Sequence, residues 1–203
     1  MAEIPYDDAT LPETTPPLRS LPRGVQVGVG LLLIVAIILG IVLFNRDSGG
    51  GGITDPGATL PKVGERLATN IPLTDANGNP FDLASLAGHP VWINIWASWC
   101  PPCRTEMPDL EALYQKEKAT HPDFVLLSLN TADSREAGLK FFRELHLTST
   151  LVFNDGSRDL GPYRVLNFPS QILVGRDGRV KRVLQRALDQ GEAEQEIQII
   201  LPQ

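Results

Sequence analysis

From about Leu60 onward, short apolar runs alternate with stretches whose apolar residues recur at helical spacing. Val91 to Trp96 (VWINIW) reads as a buried central strand. Residues from about Pro102 to Ala119 follow as a helix, with Leu110, Leu113 and Tyr114 on one stripe and Pro108 expected to kink it. Phe124 to Leu129 predicts the next buried strand. Ser134 to His146 predicts a second helix, because Ala137, Phe141, Phe142 and Leu145 share a face and Ser134 can cap its start. Leu151 to Phe153 is a further short strand. Gln171 to Val174 and Val180 to Leu184 flank Arg176-Asp177-Gly178-Arg179, a hairpin with Asp-Gly at its turn. Residues 190 to 200 suit a closing helix. Strands alternating with helical segments in this way predict an α/β fold, a sheet with covering helices.

The first 59 residues follow different rules. Residues 1–24 are rich in proline and acid, with Pro5, Pro12, Pro16, Pro17 and Pro22 breaking any helical run, and read as a disordered tail. Val25 to Phe44 holds twenty residues without a charge, and at ~1.5 Å per helical residue it matches a hydrocarbon core roughly 30 Å thick. We read it as a transmembrane anchor. A cleaved signal peptide would have a shorter apolar region followed by small residues, which Phe44-Asn45-Arg46-Asp47 does not supply. Arg19 and Arg23 precede the span and Arg46 follows it, a bias that puts the N-terminus in the cytoplasm and the C-terminal domain outside the cell membrane. Residues 45–59, centred on Ser48 to Gly52, read as a flexible glycine-rich linker to a domain spanning 60–203.

A composition of 42% hydrophobic and 21% charged residues is that of a globular protein. The net charge of −6 argues against a nucleic-acid partner, which would need a concentrated basic surface. The chain has two cysteines, in Trp99-Cys100-Pro101-Pro102-Cys103. A bridge between them closes a tiny loop and would stabilise the fold little compared with one spanning the domain, so chemistry is the better reason for it.

Cys100 falls where a strand ends and a helix begins. Partial positive charge at a helix N-terminus favours the thiolate, which makes Cys100 the candidate nucleophile. Cys103, one turn later on the same helix face, is the candidate resolving cysteine. Proline at both intervening positions removes two N–H groups and leaves the Cys103 amide as the nearest backbone donor to the Cys100 sulfur. With few donors and no intervening histidine, a poise towards the reducing end is expected.

Asn94-Ile95-Trp96-Ala97-Ser98-Trp99-Cys100-Pro101-Pro102-Cys103, with Glu106-Met107-Pro108 after it, resembles the active-site strand and helix of the membrane-tethered TlpA/ResA family. Leu73 to Gly78 and Leu83 to Gly88 are similar to the hairpin and loop that precede it there. The resemblance implies a thioredoxin-like fold with a central mixed sheet and a thiol–disulfide oxidoreductase that needs no cofactor beyond its redox-active Cys100–Cys103 disulfide. It implies a cis-proline loop at Phe168-Pro169-Ser170, whose residue 168 backbone could pair with an extended substrate chain. Trp99, Phe168 and Pro169 are thus the candidate substrate-binding residues. Asp133 resembles an acid placed near the cysteines as a proton shuttle, while a solvent-facing aspartate at a helix start is its plainer reading. Asn94 stands where thioredoxin itself has a buried acid. The implied partners are protein disulfides, apocytochrome c among them, and a membrane thiol electron donor.

Two alternatives belong to other classes. A redoxin-type thiol peroxidase would place threonine or serine three residues before its reactive cysteine, where this chain has Ala97. An extracytoplasmic copper carrier could use the two cysteines with His146, the histidine suitably downstream. A structural zinc site needs four ligands, and His89, His121 and His146 do not fall at ligand spacing.

Overall fold

The computed structural model describes residues 60–155 and 157–201. The tail, the membrane span and the linker expected over 1–59 lie outside them. Among the described residues no helix is long and apolar enough to cross a membrane.

The elements run β1 (Leu73–Asp75), β2 (Pro80–Phe81), a 3₁₀ turn (Leu83–Leu86), β3 (Val91–Trp96), α1 (Pro101–Thr120), β4 (Val125–Thr131), α2 (Arg135–Glu144), β5 (Thr150–Asn154), β6 (Ser170–Val174), β7 (Val180–Leu184) and α3 (Gln190–Ile197). The strands form one sheet in the order β2-β1-β5-β4-β3-β6-β7. The β3/β4 and β4/β5 pairs are parallel, each joined through a helix, and the remaining pairs are antiparallel. This is the mixed α/β sheet flanked by helices that a thioredoxin-like chain requires.

Local chemistry accounts for the element ends. Cys100 caps α1, with proline in the first two helical positions, where a missing N–H costs nothing. Ser134 caps α2 by accepting from the Ala137 amide at 3.2 Å. Asp189 and Glu192 form a reciprocal capping box at the start of α3. Asp-Gly turns the β6/β7 hairpin, with Gly178 at φ +71°.

Helix α1 runs through Pro108 to Thr120, close to the expected 102–119; the Pro108 ring faces solvent, and the helix does without one donor. Two details depart from the sequence pattern. Strand β4 begins at Val125 because Phe124 is drawn into a turn, donating its N–H to the His121 carbonyl at 2.9 Å. In α2 it is Gly138, with Phe141 and Phe142, that is buried on the sheet, and Ala137 is only half-buried. The approach is close: a Cβ at Gly138 would sit 2.8 Å from Phe153 Cε1 and 2.9 Å from Asn130 Oδ1.

Side chains alternate across the strands. Val91, Ile93 and Ile95 of β3, Leu127 and Leu129 of β4, and Ile172 and Val174 of β6 pack on one face. Trp92, Leu126 and Leu173 face the other way, beneath Leu110, Leu113 and Tyr114 of α1 and Ala193 and Ile197 of α3. A third cluster at the C-terminal end of β3 gathers Trp96, Phe141, Phe142 and Phe153 around the two cysteines.

Candidate active site

Strand β3 delivers the chain to the site. After Trp96, Ala97 to Trp99 form a turn closed by the Cys100 amide donating to the Ala97 carbonyl at 3.1 Å. Cys100 and Cys103 are joined as a disulfide, with their Cα atoms 5.4 Å apart. The expected donor is in place: the Cys103 amide reaches Cys100 Sγ at 3.2 Å, while Pro101 and Pro102 have no N–H to offer. Cys100 keeps 3% of its surface exposed and Cys103 none.

The turn is braced from the β4–α2 loop. Asp133 Oδ2 accepts from the Ser98 amide at 2.6 Å and from Asn130 Nδ2 at 3.1 Å, and Oδ1 accepts from the Ser134 amide at 2.9 Å. These bonds tie the cysteine turn to the β4–α2 loop. The neighbouring Ala132 sits at φ +56°, a left-handed conformation that costs an alanine about 1 kcal/mol. Its carbonyl accepts from Trp99 Nε1 at 2.9 Å.

Trp99 and Phe168 border the disulfide. Trp99 is 52% exposed, and the two rings meet edge to face with centroids 5.3 Å apart. Phe168 also packs against the cluster that contains both cysteines, and the Phe168–Pro169 bond is cis. Trp92 and Trp96 are core residues, as expected. The Trp92 indole donates to Gln171 Oε1 at 2.7 Å, and Trp96 meets Phe141 at a tilt, with ring centroids 4.7 Å apart.

Glu106 has a place in the site that the sequence analysis did not assign it. It lies three residues beyond Cys103 and is 1% exposed. Its Oε1 accepts from the Leu188 amide at 2.8 Å, and Gln171 Nε2 donates to Oε1 and Oε2 at 3.0 and 2.9 Å. Burial pushes its carboxyl up to about 7, although the Leu188 and Gln171 donors and the Arg186 charge pull the other way. Strand register supplies its surroundings. Asn94 stands opposite Ser128 on one side and Gln171 on the other, a buried polar row beneath the first turns of α1. The sequence did hold a signal: Glu106 falls on the stripe Cys103, Met107, Leu110, Tyr114 that faces the sheet, where an unpaired carboxylate is rare.

The residues of the two alternatives are also placed. Ala97 is buried. His146 is exposed just beyond the end of α2, at φ +53°.

Residues 56–198 match the Redoxin family model. Two curated relatives carry the name thiol-disulfide oxidoreductase ResA. That of Bacillus cereus is 33% identical over 114 residues, 56% of this chain and 64% of the relative. That of Bacillus subtilis is 25% identical over 180 residues, 89% and 95% of the two chains. Among solved structures, a secreted Mycobacterium tuberculosis disulfide oxidoreductase aligns with a TM-score of 0.54 and 26% identity, covering 61% of this chain and 91% of that one. A secreted thiol-disulfide isomerase from Corynebacterium glutamicum aligns with a TM-score of 0.59 at 20% identity, covering 76% and 98%. The chain has a thioredoxin-like fold, is similar to proteins named ResA, and belongs to the redoxin family.

Proposed function

We propose that this chain is a thiol–disulfide oxidoreductase that is anchored in the cell membrane and reduces disulfides of extracytoplasmic proteins. The observation that carries the chemistry is the bonded sulfur pair at the first turn of α1, with Cys100 the more accessible and its Sγ facing the Cys103 amide.

In the reduced chain the Cys100 thiolate attacks one sulfur of the substrate disulfide. That S–S bond breaks, one substrate sulfur leaves as a thiolate, and a mixed disulfide forms. Cys103, once deprotonated, attacks the Cys100 sulfur, closes the intramolecular bond and expels the second substrate thiolate. Two electrons pass to the substrate, and the two protons given up by the cysteines end on its thiols. Glu106, poised near pH 7 one turn beyond Cys103, is the group suited to take the Cys103 proton. Asp133, the acid singled out by the sequence, positions the turn. Trp99, Phe168 and Pro169 form the apolar border on which a substrate chain rests.

The uncharged span 25–44 and the arginine bias around it support a single-pass anchor with a cytoplasmic N-terminus. The family resemblance supports a membrane thiol carrier as electron donor and apocytochrome c as a substrate. Replacing Cys103 by serine removes the second step, so the Cys103→Ser chain should accumulate mixed disulfides that reductant releases. Capture of no disulfide-bonded partner, protein or small molecule, would refute the scheme.

A further inference from the structure

Arg158 lies in the β5–β6 connection, and the chemistry above leaves it without a task. Its guanidinium sits 5.0 Å from the Phe168 ring centroid and 5.7 Å from that of Trp99, the two aromatics that border the disulfide. The backbone beneath it is tied down: the Val165 amide donates to the Arg158 carbonyl at 2.9 Å, and Asp159 bridges to Arg164. One guanidinium nitrogen donates to the Leu166 carbonyl at 3.3 Å. No carboxylate among the described residues pairs with it, as is also true of Arg66, Arg143, Arg164 and Arg179, none of which lies against the two aromatics. The adjacent Asp159 is turned to the Gly161 amide at 2.8 Å.

This arrangement leaves a specific chemistry unspent. The guanidinium lies within cation–π distance of both rings, and its N–H groups other than the one given to Leu166 keep the capacity to bind a carboxylate. Around it, Trp99 and Leu166 are exposed to 52% and 48%. A cation without a carboxylate, standing between exposed apolar side chains beside a redox pair, complements a chain that brings an acidic residue and its cysteine together. The chain's net charge of −6 makes the local positive site more distinctive.

We infer that Arg158 is a specificity-determining residue that selects peptide substrates with a carboxylate next to the disulfide cysteine. This rests on the oxidoreductase reading and extends it to the substrate.

The test uses the full chain, reduced, with two disulfide-linked peptides that differ only in Glu or Gln beside the cysteine, and the neutral bis(2-hydroxyethyl) disulfide. The wild type should reduce the Glu peptide with a kcat/KM about three- to fivefold higher, the size of an exposed charged pair, and the preference should shrink as salt rises. Arg158→Gln should remove the preference, and Arg158→Glu should reverse it. Lys62→Gln, a surface charge outside the site, should keep it. If Arg158 only braced the site, Arg158→Gln would slow both peptides alike and keep their ratio at the wild-type value, which would overturn the inference. Equal rates for the two peptides with the wild type, alongside reduction of the neutral disulfide, would overturn this inference alone. No reduction of any of the three would overturn the oxidoreductase reading and this inference with it.

Discussion

The two faces of the central sheet are built from the same strands yet do different work. On one, Ile93, Ile95, Leu127, Leu129, Ile172 and Val174 make a continuous apolar layer. On the other, the positions one residue along hold Asn94, Ser128 and Gln171, buried to within 1%, with Glu106 above them and the disulfide at the end of the row. Apolar area removed from water stabilises without direction, so the first face can be filled by any well-packed set of side chains. A buried carboxyl must be satisfied by named partners, so the second face is specific and less forgiving. Both faces carry apolar packing, but the chemistry sits where the second becomes polar.

The sharpest break of that comparison is at the disulfide. Cys100→Ser should abolish turnover on any disulfide substrate while leaving the dry face intact, checked by an activity assay beside thermal unfolding. Next, Ile95→Ala, fully buried on the dry face, should cost roughly 3 to 4 kcal/mol of stability. The fraction that remains folded should still exchange disulfides, as denaturant titration with a single-turnover assay would reveal.

Glu106 sharpens the contrast through pH. Its folded pKa lies above its ordinary value, so the native state holds the proton more tightly than the unfolded chain. The contribution of Glu106 to stability should therefore be fully present below about pH 4.5, fall by up to about 3 kcal/mol as the pH rises through about 7, and level off above. Glu106→Gln should flatten that slope and the pH profile of exchange near 7; an unchanged profile would remove Glu106 from proton handling.

Two smaller effects separate packing from bracing. Gly138→Ala gains helix propensity but drives a methyl into Phe153 and Asn130, for a net loss of about 1 to 2 kcal/mol by denaturant titration. Asp133→Asn keeps an acceptor for the Ser98 amide and should cost about 1 kcal/mol. It should also leave the exchange pH profile in place, which distinguishes a brace from a proton acceptor.

Much of this was legible along the chain. The strand β3, both long helices, the Asp-Gly hairpin and the Ser134 cap follow from periodicity and capping, which act within a few residues. The cysteine pair at the strand–helix junction and the donor role of the Cys103 amide follow in the same way. The bond from the Ser98 amide to Asp133 spans 35 residues, so no local pattern could show it.

The sequence by itself determined where the reactive sulfurs sit and why one of them opens a helix, because spacing and proline chemistry are local. Only the tertiary structure decided that Glu106 is enclosed by Gln171 and Leu188, 65 and 82 residues away, and that Arg158 lies against Trp99 and Phe168. Strand register and the route of the β5–β6 connection set those meetings, and both are fixed by which faces pack together rather than by any local run of residues.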